Sequence, residues 1–144
     1  MPPRRGANGR FARPLRLYLV RHAEAAPGEP DDLRPLTAAG RQTARALGAR
    51  LAADGVRANA VLSSPLLRAR ETATELGRAL GCEPESDERL APGATVDDLR
   101  DVVAGRGATV VVVGHQPDCG EIAAELSGAP PPPFPPGGLA VLEL

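Results

Sequence analysis

Lysine is absent from this 144-residue chain, where all 17 basic side chains are arginine. That removes the phosphate-gripping lysine of nucleotide-binding P-loops and Schiff-base chemistry on a side-chain amine. Tryptophan is absent too, and aromatics make up only 2% of the residues, so a core must be packed from Ala, Leu and Val. The two cysteines, Cys82 and Cys119, are too few and too far apart for a disulfide scaffold or a C-x-x-C metal or redox site. Reduced thiols in a cytoplasmic protein are the expectation. No long apolar run opens the chain, since Leu17–Val20 leads straight into Arg21 and is much shorter than a signal-peptide core or a membrane span. A net charge of -1 gives no global field to draw nucleic acid or anionic lipid. Neither a membrane nor a nucleic acid is an expected partner.

What is present fits one domain, residues 15–144, preceded by a basic, acid-free arm over residues 1–14 whose composition predicts flexibility. Leu15–Val20 is apolar apart from Arg16 and predicts a strand, with Arg21 and His22 at its carboxyl end. From Thr37 to Asp54, Ala44, Leu47 and Leu51 recur at helical spacing, with Thr37 as N-cap and Gly55 as stop. Ala60–Leu62 predicts a second strand. Ser63-Ser64-Pro65 supplies a Ser cap and a Pro at the first helical position for a helix through Leu80, which puts Arg68 in its first turn. Thr95 with Asp98 has the pattern of a capping box for a third helix ending near Gly105 or Gly107. Ala108–Val113, unbroken and β-branched, predicts a strand covered on both faces, with His115 just past its end. Pro117–Leu126 predicts a fourth helix, Ala129–Gly138 a Pro-rich surface loop, and Leu139–Leu144 a closing edge strand. Alternation of this kind predicts an α/β, three-layer α/β/α fold: a mostly parallel sheet with an antiparallel edge strand and helices on both faces. Ligands of such folds bind beyond the carboxyl ends of the strands. Both histidines of the chain fall there.

An Arg-His pair after one strand, a His after another and an Arg in a helix's first turn form a coherent set. Arg21 and Arg68 offer two planar forks for phosphate oxygens, and the helix amino end adds N–H groups and positive dipole. An imidazole among cations stays unprotonated and nucleophilic near neutral pH. His22 is therefore the expected nucleophile toward phosphorus, with Arg21, Arg68 and His115 balancing charge on the equatorial oxygens. Neither metal nor cofactor is expected. Cysteine-phosphatase chemistry fails, because Cys82 and Cys119 meet Glu88 and Glu125 where an Arg is needed six residues on. The two histidines make no H-E-x-x-H motif, and no G-x-G-x-x-G follows the first strand.

The segment Leu17-Tyr18-Leu19-Val20-Arg21-His22-Ala23-Glu24 resembles the signature of the histidine phosphatase (phosphoglycerate mutase-like) superfamily. Ser63 to Ala73 is similar to its second block and Val113-Gly114-His115-Gln116-Pro117 to its third, in the right order. Arg34-Pro35-Leu36-Thr37 followed by Gly40, with the short length, resembles the SixA branch of phosphohistidine phosphatases. The resemblance runs from about Leu15 to the C-terminus. It implies that His22 becomes phosphorylated while Arg21, Arg68 and His115 line the phosphate pocket, the four residues already singled out. One departure matters: many members carry a Glu two residues after a Leu before the third block, as proton donor to the leaving group, where this chain has Leu90-Ala91-Pro92. Glu24, Asp31 and Glu88 are the candidate substitutes, and Glu24, Asp31 and Arg34 join the expected substrate contacts.

An acid-poor site suits a phosphoramidate, whose departing imidazole has a conjugate-acid pKa of about 6.5, better than an ester that expels an alkoxide. With no long insertion to form a lid, the crevice would admit a histidine presented on another protein. The expectation is thus a monomeric phosphohistidine phosphatase acting on a phosphorylated protein. The alternatives are a phosphomonoesterase acting on small phosphate esters and a non-catalytic phosphoprotein-binding module. Gln116, Cys119 and the prolines of Ala129–Gly138 are expected to be structural: helix start, buried thiol and surface loop.

Overall fold

A computed structural model describes residues 4–5, 11–12 and 14–144. The expected arm falls mostly outside these residues; within it, Arg4–Arg5 (β1) and Phe11–Ala12 (β2) pair antiparallel. The remaining elements run β3 (Arg16–Arg21), α1 (Ala38–Ala53), β4 (Ala60–Ser63), α2 (Leu67–Leu80), β5 (Pro84–Ser86), α3 (Val96–Val103), β6 (Thr109–Gly114), α4 (Asp118–Ser127) and β7 (Leu139–Glu143). Among the described residues, β3 to β7 form a five-stranded sheet in the order β5-β4-β6-β3-β7. All neighbours are parallel except β3 and β7, so the antiparallel strand is at the edge as expected.

Alternation along the strands divides the core in two. Leu17 and Leu19 of β3, Leu62 of β4, and Val110 and Val112 of β6 pack with Leu99 and Val103 of α3 and Ile122 of α4. Tyr18, Val20, Val61, Val111 and Val113 point the other way, onto Leu47 and Leu51 of α1 and Ala73 and Leu76 of α2. Successive side chains of a strand face opposite sides, so a run of four buried valines in β6 requires a layer on each face. Each such side chain contributes about 1.5–3 kcal/mol by leaving water.

Local signals set most boundaries. The Thr37 hydroxyl accepts the Gly40 N–H to cap α1, and Thr95 and Asp98 form the reciprocal capping box of α3. Two boundaries differ from expectation. Pro65 does not open α2; the helix starts at Leu67 behind an extended Leu66, and the Ser64 hydroxyl accepts the Leu66 N–H ahead of it. Arg68 remains in the first turn. The second difference is β5, a three-residue strand that begins with proline and pairs only with β4, which its composition does not announce. Among the described residues, no helix is long and apolar enough to cross a membrane.

Candidate active site

β3 ends on Arg21 with His22 directly after it, and β6 ends on Gly114 with His115 directly after it. Arg21 pairs with Gly114 in the parallel register, so the two histidines leave the sheet side by side. Their ring centroids are 5.2 Å apart and the planes are tilted by 56°. Both are buried, and both line a cavity of about 470 Å³ beyond the strand ends.

His22 Nδ1 lies 2.7 Å from the Ala23 carbonyl oxygen. A carbonyl only accepts, so the proton sits on Nδ1 and Nε2 keeps its lone pair. Burial is the main influence holding this imidazole below the ordinary histidine pKa; the bond to Ala23 opposes it, while Arg68, Arg21 and Arg34 add to it. The ring is uncharged at neutral pH. The Ala23 N–H donates to Thr72 Oγ1 at 3.1 Å, and Thr72 in turn donates to the Arg68 carbonyl at 2.8 Å. One buried threonine thereby ties the backbone next to His22 to the helix that carries Arg68.

His115 Nε2 meets the fully buried Ser64 hydroxyl at 2.7 Å. Burial first, then the neighbouring His22 and Arg68, lowers the His115 pKa to about 4. Cys119 is also buried near the end of β3, but burial pushes its thiol up to about 12, which makes it inert as a nucleophile.

Arg21 Nη1 donates to the Phe134 carbonyl at 3.0 Å. Arg68 Nη1 donates to the Asp31 carbonyl at 2.8 Å and Nη2 to Asp31 Oδ2 at 3.2 Å. Among the described residues, the Nε–H of each of these arginines is buried without a hydrogen-bond partner. Asp31 lies on a 3-10 turn, Asp31–Leu33, at the tip of a short excursion between β3 and α1. The sides of that excursion pair through Ala26 N–H to Pro35 O and Thr37 N–H to Glu24 O, and Leu36 N–H is fastened to Glu71 Oε1. Gly40 lets α1 start against it: a Cβ there would sit 2.1 Å from the Glu24 carbonyl oxygen.

The cavity wall includes every expected catalytic or substrate-contacting residue: Arg21, His22, Glu24, Asp31, Arg34, Arg68 and His115. The carboxylates differ sharply. Asp31, hydrogen-bonded to Arg68 and, through Oδ1, to Arg34 Nε at 2.9 Å, is held below the usual carboxylate range. Glu24 lines the cavity with Oε1 accepting from the Thr37 hydroxyl at 2.7 Å. Glu88 is exposed on its own 3-10 turn and is not part of the wall; Pro92 is, and its neighbour Gly93 is held through its N–H by Asp118 Oδ2.

Cys119 is the buried thiol expected, and the other two expectations of a purely structural role are extended. Gln116 stands just ahead of α4 and its Oε1 accepts the Gly120 N–H of the first turn at 2.7 Å, as a helix start would, and it also lines the cavity. The Pro-rich segment is more than a surface loop, because Phe134 is buried, its carbonyl anchors Arg21, and Pro136 joins the wall. Ser64 and Thr72 were legible only as cap and helix residues, since nothing local marks a hydroxyl for a histidine or a backbone group far off in sequence. Among the described residues, no three His, Cys, Asp or Glu side chains come together to hold a metal ion.

Residues 17–92 match the histidine phosphatase superfamily (branch 1). The chain belongs to the histidine phosphatase superfamily. It is 34% identical over 139 residues to the phosphohistidine phosphatase SixA of Escherichia coli, covering 90% of this chain and 86% of the relative. An uncharacterized protein of Picosynechococcus is 40% identical over 121 residues, covering 78% and 73%. Among solved structures, the protein histidine phosphatase SixA complexed with tungstate superimposes with a TM-score of 0.80 at 32% identity, covering 88% of this chain and 86% of that one. The three-layer α/β architecture is thus that of the superfamily, and the chain is one of its phosphatases.

Proposed function

We propose that this phosphatase removes phosphoryl groups from protein phosphohistidine, without a metal, through a phosphorylated His22. The observation that carries the reading is the pairing of a neutral, buried His22 whose Nε2 is free with two arginines that still have unpartnered N–H donors. Nε2 attacks phosphorus, a P–N bond to His22 forms, and the P–N bond to the substrate imidazole breaks. Charge spread over the three equatorial oxygens is met by Arg21, Arg68 and His115. The departing imidazole takes a proton from water. Water then attacks the phosphohistidine, releasing inorganic phosphate and returning the lone pair to Nε2.

A protein phosphohistidine is favoured over an ester by the acid-poor wall. Asp31 is committed to Arg68 and Arg34, Glu88 is elsewhere, and the wall residue two positions after Leu90 is Pro92, which offers no proton. Support also comes from the SixA relative, which is a phosphohistidine phosphatase by name, and from tungstate, a tetrahedral oxyanion, bound in a solved SixA. A second reading, a small-molecule phosphomonoesterase, rests on Glu24, the cavity carboxylate that no arginine holds in a salt bridge among the described residues. The test is hydrolysis of a phosphohistidine-containing protein beside a panel of phosphate esters, with chelator present. Chelator-resistant turnover of the phosphoprotein with poor ester cleavage is the expected result; efficient ester cleavage would transfer the assignment to the second reading.

A further inference from the structure

Ser64 contributes nothing to the cavity wall, yet it is completely buried and its hydroxyl meets the ring of a cavity histidine. Its hydrogen bonds can be counted. Ser64 Oγ accepts the Leu66 N–H at 3.2 Å, which uses one lone pair and leaves one proton to give. Among the described residues, the acceptor within reach of that proton is His115 Nε2, at 2.7 Å. In the reverse arrangement, with Nε2–H donating to Ser64, the hydroxyl proton would be buried without an acceptor and Nδ1 would be a bare lone pair. Buried donors without partners are costly, and a lone pair repels an anion.

We propose that Ser64 is a positioning residue that fixes His115 as its Nδ1–H tautomer, so that Nδ1–H is the donor offered to the phosphoryl group in the reaction assigned above. With Nε2 turned into the protein, Nδ1 is the ring nitrogen left for the cavity that His115 lines. The two histidines would then share one tautomer but present opposite atoms: His22 uses its Nδ1–H on Ala23 and offers a nucleophilic Nε2, whereas His115 uses its Nε2 on Ser64 and offers an N–H. The low pKa of His115 complements this, because a ring that is neutral at pH 7 donates through only one nitrogen and its tautomer matters.

This inference rests on the phosphatase reading for its catalytic consequence but not for the tautomer, and the experiment separates the two. Heteronuclear NMR of the imidazole nitrogens at neutral pH reports which His115 nitrogen carries the proton in the wild type, in Ser64→Ala and in the hydroxyl-retaining Ser64→Thr. The expected result is a protonated Nδ1 in the wild type, a shift toward protonated Nε2 in Ser64→Ala, and restoration in Ser64→Thr. Kcat for phosphohistidine hydrolysis should fall roughly 10- to 100-fold in Ser64→Ala, by analogy with partners that orient metal-bound imidazoles, with KM changing far less. Nε2–H in the wild type would overturn the proposal even if neither variant folds. So would a Ser64→Ala protein that keeps both the tautomer and kcat. Nδ1–H in a wild type that turns over no phosphate compound would instead overturn the functional reading.

Discussion

The ends of β3 and β6 each present a histidine to the same cavity, and the two are held in different ways. His22 is fixed by backbone, through the carbonyl of the next residue, and the peptide after it is tied by Thr72 to α2. His115 is fixed by a side chain from another strand's end, the hydroxyl of Ser64. On the proposed tautomers the first arrangement exposes a lone pair and the second an N–H, which is the difference between a nucleophile and an electrostatic partner. On that reading, neighbouring parallel strands with matched ends deliver two chemically unlike groups from one residue type.

The sharpest way to break the comparison is to remove each ring in turn. His22→Ala should reduce turnover by about 10⁴-fold or more and abolish any covalent phosphoenzyme, as loss of a nucleophile does. His115→Ala should cost about 10²- to 10³-fold in kcat, the scale for one charge-stabilising donor, yet still allow His22 to become labelled. Equal losses, with labelling gone in both, would contradict the division of roles; single-turnover kinetics with a labelled phosphohistidine protein measure it.

Gly40→Ala perturbs the β3 end selectively. Its Cβ would displace the Glu24 backbone, two residues after His22, while the Ser64–His115 contact lies on other elements. A stability loss of about 1–3 kcal/mol by chemical denaturation is expected from overpacking, with activity falling beyond what the unfolded fraction explains.

Acid provides a milder test. Because the proposed mechanism needs His22 as a neutral nucleophile and burial lowers its pKa, protonation at falling pH should remove activity only below the ordinary histidine value of 6.5. An acid limb of kcat/KM at or above 6.5, after allowance for substrate ionisation, would contradict the environment described. The smallest effect belongs to Glu24→Gln: on phosphohistidine its kcat loss should fall well short of the roughly 100-fold that removal of a working general acid costs. A larger loss would assign Glu24 the proton and favour an ester substrate.

How much of this was legible in the sequence follows from how local each signal is. The valines of β6, the Thr37 cap and the Thr95–Asp98 box are written in neighbouring residues and survive in the structure with small shifts of boundary. The Arg-His pair and His115 could be placed because strand ends in an α/β sheet share one edge. What escaped detection depends on tertiary meeting. Pro84–Ser86 is a strand because β4 needed a neighbour, and Ser64 turned from a helix cap into a histidine partner. The Phe134 carbonyl anchors Arg21 only in the folded chain, where the segment leading into β7 passes the end of β3. The excursion that brings Asp31 onto Arg68 likewise has no periodic signature; its pairing is held by three backbone and side-chain contacts to Glu24, Pro35 and Glu71.

The central claim is that phosphate passes through Nε2 of His22. Incubation with a radiolabelled phosphohistidine protein in the presence of chelator, followed by an alkaline quench and peptide mapping, tests it most directly. The account predicts an acid-labile, alkali-stable label on Nε2 of His22 that is absent from His22→Ala; turnover without such a label, or a label on any other residue, would contradict it.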